Sequence, residues 1–136
     1  MTTHGVVVVD SSAIVAFLEG GAAGDWVVEE IQGHRRAAPS LMPYEVMNNL
    51  RRQLLTGSLD EDEAAAARQN LAALAIDNWP HSRLVERAWQ LRGAVTYYDA
   101  AYVALAELLD APLITLDRRL AGANGPMCEI RVPPGA

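Results

Sequence analysis

Four consecutive valines, Val6–Val9, run without transition into Asp10. Successive residues of a strand point to opposite faces, so an unbroken apolar run needs cover on both sides. Such a strand belongs inside a parallel sheet flanked by helices, because a half-wet antiparallel strand alternates apolar and polar residues. A second run, residues 112–116, ends the same way, at Asp117. Residues 37–39 and 76–79 are further strand candidates, and 129–132 is a weaker one.

Helical segments alternate with these runs. Residues 11–19 carry Ile14, Val15, Phe17 and Leu18 and meet a stop at Gly20-Gly21. Residues 25–32 carry Trp26, Val27 and Ile31. In 42–55, Val46, Met47, Leu50 and Leu54 recur at helical spacing, and Gly57 ends the segment. Residues 60–75 open with Asp60 and Glu63 at capping-box spacing. Segments 82–92 and 99–109 complete the set. Strand–helix alternation predicts an α/β sandwich around a parallel sheet. A chain of 136 residues, 51% of them hydrophobic, suits one domain spanning 1–136.

Several chemistries are excluded. The single cysteine, Cys128, builds neither a disulfide framework nor a metal-site spacing, and a reducing cytoplasmic setting fits it. No apolar run approaches the roughly 20 residues of a membrane span. The first five residues lack the features of a signal peptide. His4, His34 and His81 have no ligand or triad spacing and read as surface or capping residues. Trp26, Trp79 and Trp89 each fall in apolar stretches and read as core. The net charge of −6 argues against a nucleic-acid partner when taken alone. All 11 basic residues are arginine, the side chain best shaped for bidentate phosphate contacts.

In open parallel sheets, ligands bind beyond the carboxyl ends of the strands. Asp10 and Asp117 follow strand candidates directly. Asp99 opens the 99–109 helix, and Glu45 lies in the first turn of 42–55. Carboxylates suit hard cations such as Mg²⁺ or Mn²⁺, and several converging acids repel one another without one. Each acid also has an ordinary structural reading. Asp10 and Asp99 serve equally as helix caps, Asp117 as a turn former, and Glu45 as a solvated helix charge. Spacing alone leaves both readings open.

The segment Val9-Asp10-Ser11-Ser12-Ala13 resembles the opening motif of PIN-domain ribonucleases, as does Pro43-Tyr44-Glu45-Val46-Met47-Asn48-Asn49-Leu50. Most specific is Tyr98-Asp99-Ala100-Ala101-Tyr102-Val103-Ala104-Leu105-Ala106, followed by Leu113-Ile114-Thr115-Leu116-Asp117-Arg118-Arg119-Leu120. Order, spacing and length are similar to the VapC toxins of bacterial toxin–antitoxin pairs, over nearly the whole chain. The resemblance implies a three-layer PIN-like sandwich with a five-stranded parallel sheet. It implies Mg²⁺- or Mn²⁺-dependent endoribonuclease activity through metal-activated water, a homodimer, and a cognate antitoxin protein. The family's acids map onto Asp10, Glu45, Asp99 and Asp117, with Ser12, Thr115 and Asn48 as supporting residues. Arg51, Arg52, Arg118 and Arg119 lie near those acids in sequence as candidate RNA contacts, or form solvated helix faces.

A phosphatase or phosphoacceptor built on Asp10 is disfavoured. The second Asp of haloacid-type phosphatases is replaced by Ser12, and the lysine of receiver domains is absent. A PIN-fold module that binds RNA or a partner without cutting remains the alternative.

Overall fold

The computed structural model describes residues 5–135; His4 lies outside them. Among the described residues the chain runs β1 (Val6–Val9), α1 (Ser11–Glu19), α2 (Gly21–Ile31), β2 (Arg35–Pro39), α3 (Met42–Thr56), α4 (Glu61–Ala73) and β3 (Asp77–Trp79). A single 3₁₀ turn at His81–Arg83 leads to α5 (Val85–Gln90) and α6 (Tyr97–Leu109). Then follow β4 (Leu113–Ile114), α7 (Arg118–Ala121) and β5 (Ile130–Arg131). The five strands form one parallel sheet in the order β3-β2-β1-β4-β5.

The valine run is the central strand, as its lack of alternation requires: Val7, Val8 and Val9 are buried. Right-handed crossovers place α1–α4 on one face of the sheet and α5–α7 on the other. The packing agrees, with α1 against α2, α3 and α4, and α6 against α5, β1, β2 and β4. Helix α6 buries seven successive residues, Ala100 to Ala106, four of them alanines. Small side chains let this helix lie close on the sheet and leave room for Tyr102.

Several expected boundaries move, each for a local reason. Gly20 closes α1 but also opens α2, which begins at Gly21 instead of residue 25. Both glycines have positive φ, so the joint needs no loop. Gly24 then faces α1, where an added Cβ would meet the Ala16 carbonyl oxygen at 2.6 Å. The expected 82–92 helix divides into the 3₁₀ turn and α5. Helix α6 starts at Tyr97, two residues early, because Thr96 caps it by accepting the Asp99 amide. Strand β4 ends at Ile114, although the Thr115 amide still reaches the Arg131 carbonyl at 3.0 Å. The Asp60–Glu63 capping box forms as expected.

This topology fixes the location of the site. The chain fills β1, β2 and β3 on one side, then returns to β4 beside β1 on the other. The reversal opens a crevice between the carboxyl ends of β1 and β4, where Asp10 and Asp117 leave the sheet.

Candidate metal centre

Asp10 is the most constrained of the acids. It is 5% exposed and caps α1. Its Oδ1 accepts the Ser12 amide and its Oδ2 accepts the Thr115 hydroxyl at 2.6 Å. The fully buried Thr115 hydroxyl also accepts the Asp117 amide at 3.0 Å. With its one proton committed to Asp10, Thr115 is the acceptor in its 3.4 Å contact with the Ser12 hydroxyl. Ser12 Oγ in turn accepts the Leu116 amide at 3.0 Å. A closed network thus binds the start of α1 to the exit of β4. Ser12 and Thr115 contribute its two hydroxyls.

Glu45 stands in the first turn of α3, and its Oε1 accepts the Tyr102 hydroxyl at 2.7 Å. Tyr102, on α6, is 2% exposed. Its only sequence signal was a large polar-tipped residue within a run of small apolar ones. Asp99 lies in the first turn of α6, three residues after Thr96, so the capping role belongs to Thr96. Asp117 caps α7. Its Oδ1 accepts the Arg119 amide at 3.0 Å, and its two oxygens meet the Arg119 guanidinium at 3.2 and 3.3 Å.

Electrostatics separates the four acids. Burial raises the pKa of Asp10 above its ordinary value, opposed by its hydrogen bonds to Thr115 and Ser12 and reinforced by the charge of Asp99. Glu45 is raised by burial, against the Tyr102 hydrogen bond, with Asp10 and Asp99 adding repulsion. Asp99 is raised by burial and then by Asp117, while Thr96 and Arg119 pull it down. Asp117 alone is lowered, chiefly by its hydrogen bonds from Arg119. Tyr102 holds its proton more tightly than an ordinary tyrosine, first through burial and then through Glu45.

The acids therefore lie near enough to repel one another, but they open into separate concavities. One, of about 430 Å³, is lined by Arg92, Thr96, Asp99, Asp117 and Arg119. The other, of about 410 Å³, is lined by Ser11, Ser12, Glu45, Asn48, Asn49 and Arg52. Asp10 sits beneath, coupled to both Glu45 and Asp99. Among the described residues, no group of three or more Asp, Glu, His or Cys side chains is gathered tightly enough to hold an ion. The donor set itself suits a hard cation, being all carboxylate oxygen with three members kept above their ordinary pKa.

The four sequence-chosen arginines divide. Arg119 grips Asp117, and Arg52 lines the Glu45 concavity. Arg118 donates to the Pro133 carbonyl and lines neither concavity. Arg51 is exposed on α3 and lines neither concavity. Arg92, absent from the sequence reading, lines the Asp99–Asp117 concavity. Trp89 corrects the core assignment made for all three tryptophans. Trp26 and Trp79 pack against the core, whereas Trp89 is 59% exposed.

Comparison with known proteins gives a consistent picture. Residues 7–125 match the PIN domain family. The chain is 46% identical over 127 residues to ribonuclease VapC1 of Mycobacterium tuberculosis, an alignment covering 92% of this chain and 96% of that protein. Among solved structures, PAE2754 from Pyrobaculum aerophilum superposes with a TM-score of 0.66 at 26% identity, covering 93% of this chain and 83% of that one. A toxin–antitoxin complex from Klebsiella pneumoniae superposes with a TM-score of 0.68 at 19% identity, covering 96% and 99%; that likeness speaks for the fold. In this fold the described residues contain no helix long and apolar enough to cross a membrane.

Proposed function

We propose, from the premise that this chain belongs to the PIN-domain family, that it is a divalent-metal-dependent endoribonuclease and the toxin of a toxin–antitoxin pair. One observation supports the reading most. Asp10 is buried at the crevice with both oxygens receiving hydrogen bonds, while Glu45 and Asp99 face it with like charge. Such a set costs stability as plain structure, and a cation relieves it.

Asp10, Glu45, Asp99 and Asp117 would hold Mg²⁺ or Mn²⁺. When bound, the ion would make a water more acidic and offset charge on the phosphodiester oxygens. The chain's own residues set the stage. Thr115 and the Ser12 amide fix the plane of the Asp10 carboxylate. Tyr102 holds Glu45 through Oε1. Thr96 fixes the first turn of α6, and with it the position of Asp99. Asp117 exchanges the exposed Arg119 for a ligand at little cost, since exposed pairs are weak. Arg52, Arg119 and Asn48 offer donors to RNA phosphates at the two concavities. Water as nucleophile leaves 5′-phosphate and 3′-hydroxyl ends.

The test is cleavage of structured RNA by wild type and Asp99→Asn with Mg²⁺, Mn²⁺ or excess EDTA. The reading predicts ion-dependent cutting by wild type alone. Cutting that survives EDTA overturns the metal dependence. The separation of the acids favours a second reading, RNA or partner binding without cleavage. No cutting of any RNA with either ion would select it.

Three further inferences belong to the toxin reading, of which the antitoxin partner is the one that a solved relative's description names. The chain is cytoplasmic, forms a homodimer, and is inhibited by a cognate antitoxin. Sedimentation tests the dimer. Growth arrest on induction, relieved by the small reading frame expected upstream, tests the toxin and its antitoxin.

A further inference from the structure

Beside the acid crevice lies a row of aromatic and cationic groups with no role so far. Trp89 on α5 is exposed, and its ring meets Tyr97 edge-on with centroids 6.4 Å apart. Tyr97 meets His81 at 5.8 Å, and their Oη and Nε2 atoms lie 2.7 Å apart. The Arg92 guanidinium stacks on the Trp89 ring, 4.6 Å from its centroid, and donates to the Trp89 carbonyl at 2.8 Å. Arg92 has no carboxylate partner among the described residues. It lines the same concavity as Asp99, Asp117 and Arg119. The row therefore runs from the exposed Trp89 ring, backed by half-buried Tyr97, through an arginine without a carboxylate partner into the cavity that holds two of the four acids.

We infer that Trp89 and Arg92 form a docking platform for a single-stranded RNA segment, seating a nucleotide next to the phosphodiester held at the acids. The inference rests on the ribonuclease reading for its choice of RNA. Three features carry it. Large exposed rings stack bases regardless of sequence, and arginine adds cation–π and phosphate contacts. Arg92 is preorganised by its ring and its carbonyl, so little freedom is lost when a phosphate binds. The platform is also continuous with the acid cavity, where a net-acidic chain most needs a local positive charge to receive a polyanion. A paired helix is a poor fit, since its bases are already stacked.

The experiment uses the full chain carrying Asp99→Asn to prevent cutting, and a fluorescein-labelled mixed-sequence 12-mer RNA. Binding is followed by anisotropy at low salt. Trp89→Ala and Arg92→Ala should each weaken binding about tenfold, the scale of one lost base stack. Trp89→Phe should restore most of the affinity, and a labelled RNA duplex should show no such dependence. In the cutting-competent chain the same changes should raise KM more than they lower kcat. Unchanged 12-mer affinity for both variants, with circular dichroism confirming their fold, overturns the platform. So does a shift in self-association on Trp89→Ala with RNA affinity unchanged, which would make this patch a protein contact. If the chain binds the 12-mer through Trp89 but wild type cuts no RNA, the ribonuclease reading fails and the platform stands. If wild type cuts RNA with KM indifferent to Trp89, the platform fails and the ribonuclease reading stands.

Discussion

Replacing Thr115 by valine removes one hydroxyl from a fully buried position and leaves the shape nearly unchanged. Three hydrogen bonds go with it, the 3.4 Å contact from the Ser12 hydroxyl being the longest and weakest. The bond to Asp10 Oδ2 is short and has a charged acceptor, a kind that contributes about 1.5–3 kcal/mol. The bond from the Asp117 amide is neutral and contributes about 1 kcal/mol. The expected loss is therefore ~2–4 kcal/mol. At about 3 °C per kcal/mol for a domain of this size, Tm falls by roughly 6–12 °C. Circular dichroism melts in EDTA at neutral pH measure it. The pH dependence carries a sign. Asp10 already binds its proton more tightly in the folded state, because burial raises its pKa. Losing a donor raises it further, so the deficit is fullest at neutral pH and narrows as pH falls through the folded pKa. Activity should drop 10- to 100-fold, as when a group orienting a ligand is removed. Thr115→Ser keeps the hydroxyl and should lose only about 1 kcal/mol for its missing methyl. The reasoning fails if valine is tolerated within about 0.5 kcal/mol, or if serine is as damaging as valine.

Three other substitutions test the remaining acids. Asp99→Asn should abolish cutting yet raise Tm in EDTA at neutral pH, because it deletes a charge opposed by burial and by Asp117. That gain should vanish in acid, since a raised folded pKa costs stability above it and is relieved as pH falls through it. Tyr102→Phe leaves Glu45 Oε1 without its donor and should cost about 1–3 kcal/mol, read from urea midpoints, with a further rise in the Glu45 pKa. Arg119→Ala should lower Tm slightly at neutral pH and not at all in acid, as the Asp117 pKa climbs back toward its ordinary value, visible by carboxyl-carbon NMR titration.

Local features were legible where one physical effect dominated. The four valines demanded a doubly covered strand and became the centre of the sheet. Asp60 and Glu63 satisfied a helix end within four residues of chain. Errors arose where two effects competed. Gly20-Gly21 read as a stop, yet the positive φ that ends one helix also aimed the next. The 99–109 helix was expected to start at Asp99, but the Thr96 hydroxyl three residues earlier caps it and moves the start to Tyr97. Trp89 read as core, yet the six-residue α5 buries Ala88 and turns its neighbour outward. Long-range partners were not legible at all. Thr115 reaches Asp10 across 105 positions and Tyr102 reaches Glu45 across 57, and only the sheet order brings them together. The sequence therefore nominated the acids, while the fold determined that three are raised and one is held by its own arginine.

The central claim is that Asp10, Glu45, Asp99 and Asp117 contribute to divalent-cation binding. Calorimetric titration of Mn²⁺ into wild type and the four single amide variants tests it most directly. Saturable binding to wild type is expected, weakened in every variant and most in Asp10→Asn and Asp99→Asn. Affinity should also fall with pH, as protons compete for the three acids whose pKa is raised. Binding of equal strength in wild type and all four variants, or none in wild type, would contradict it.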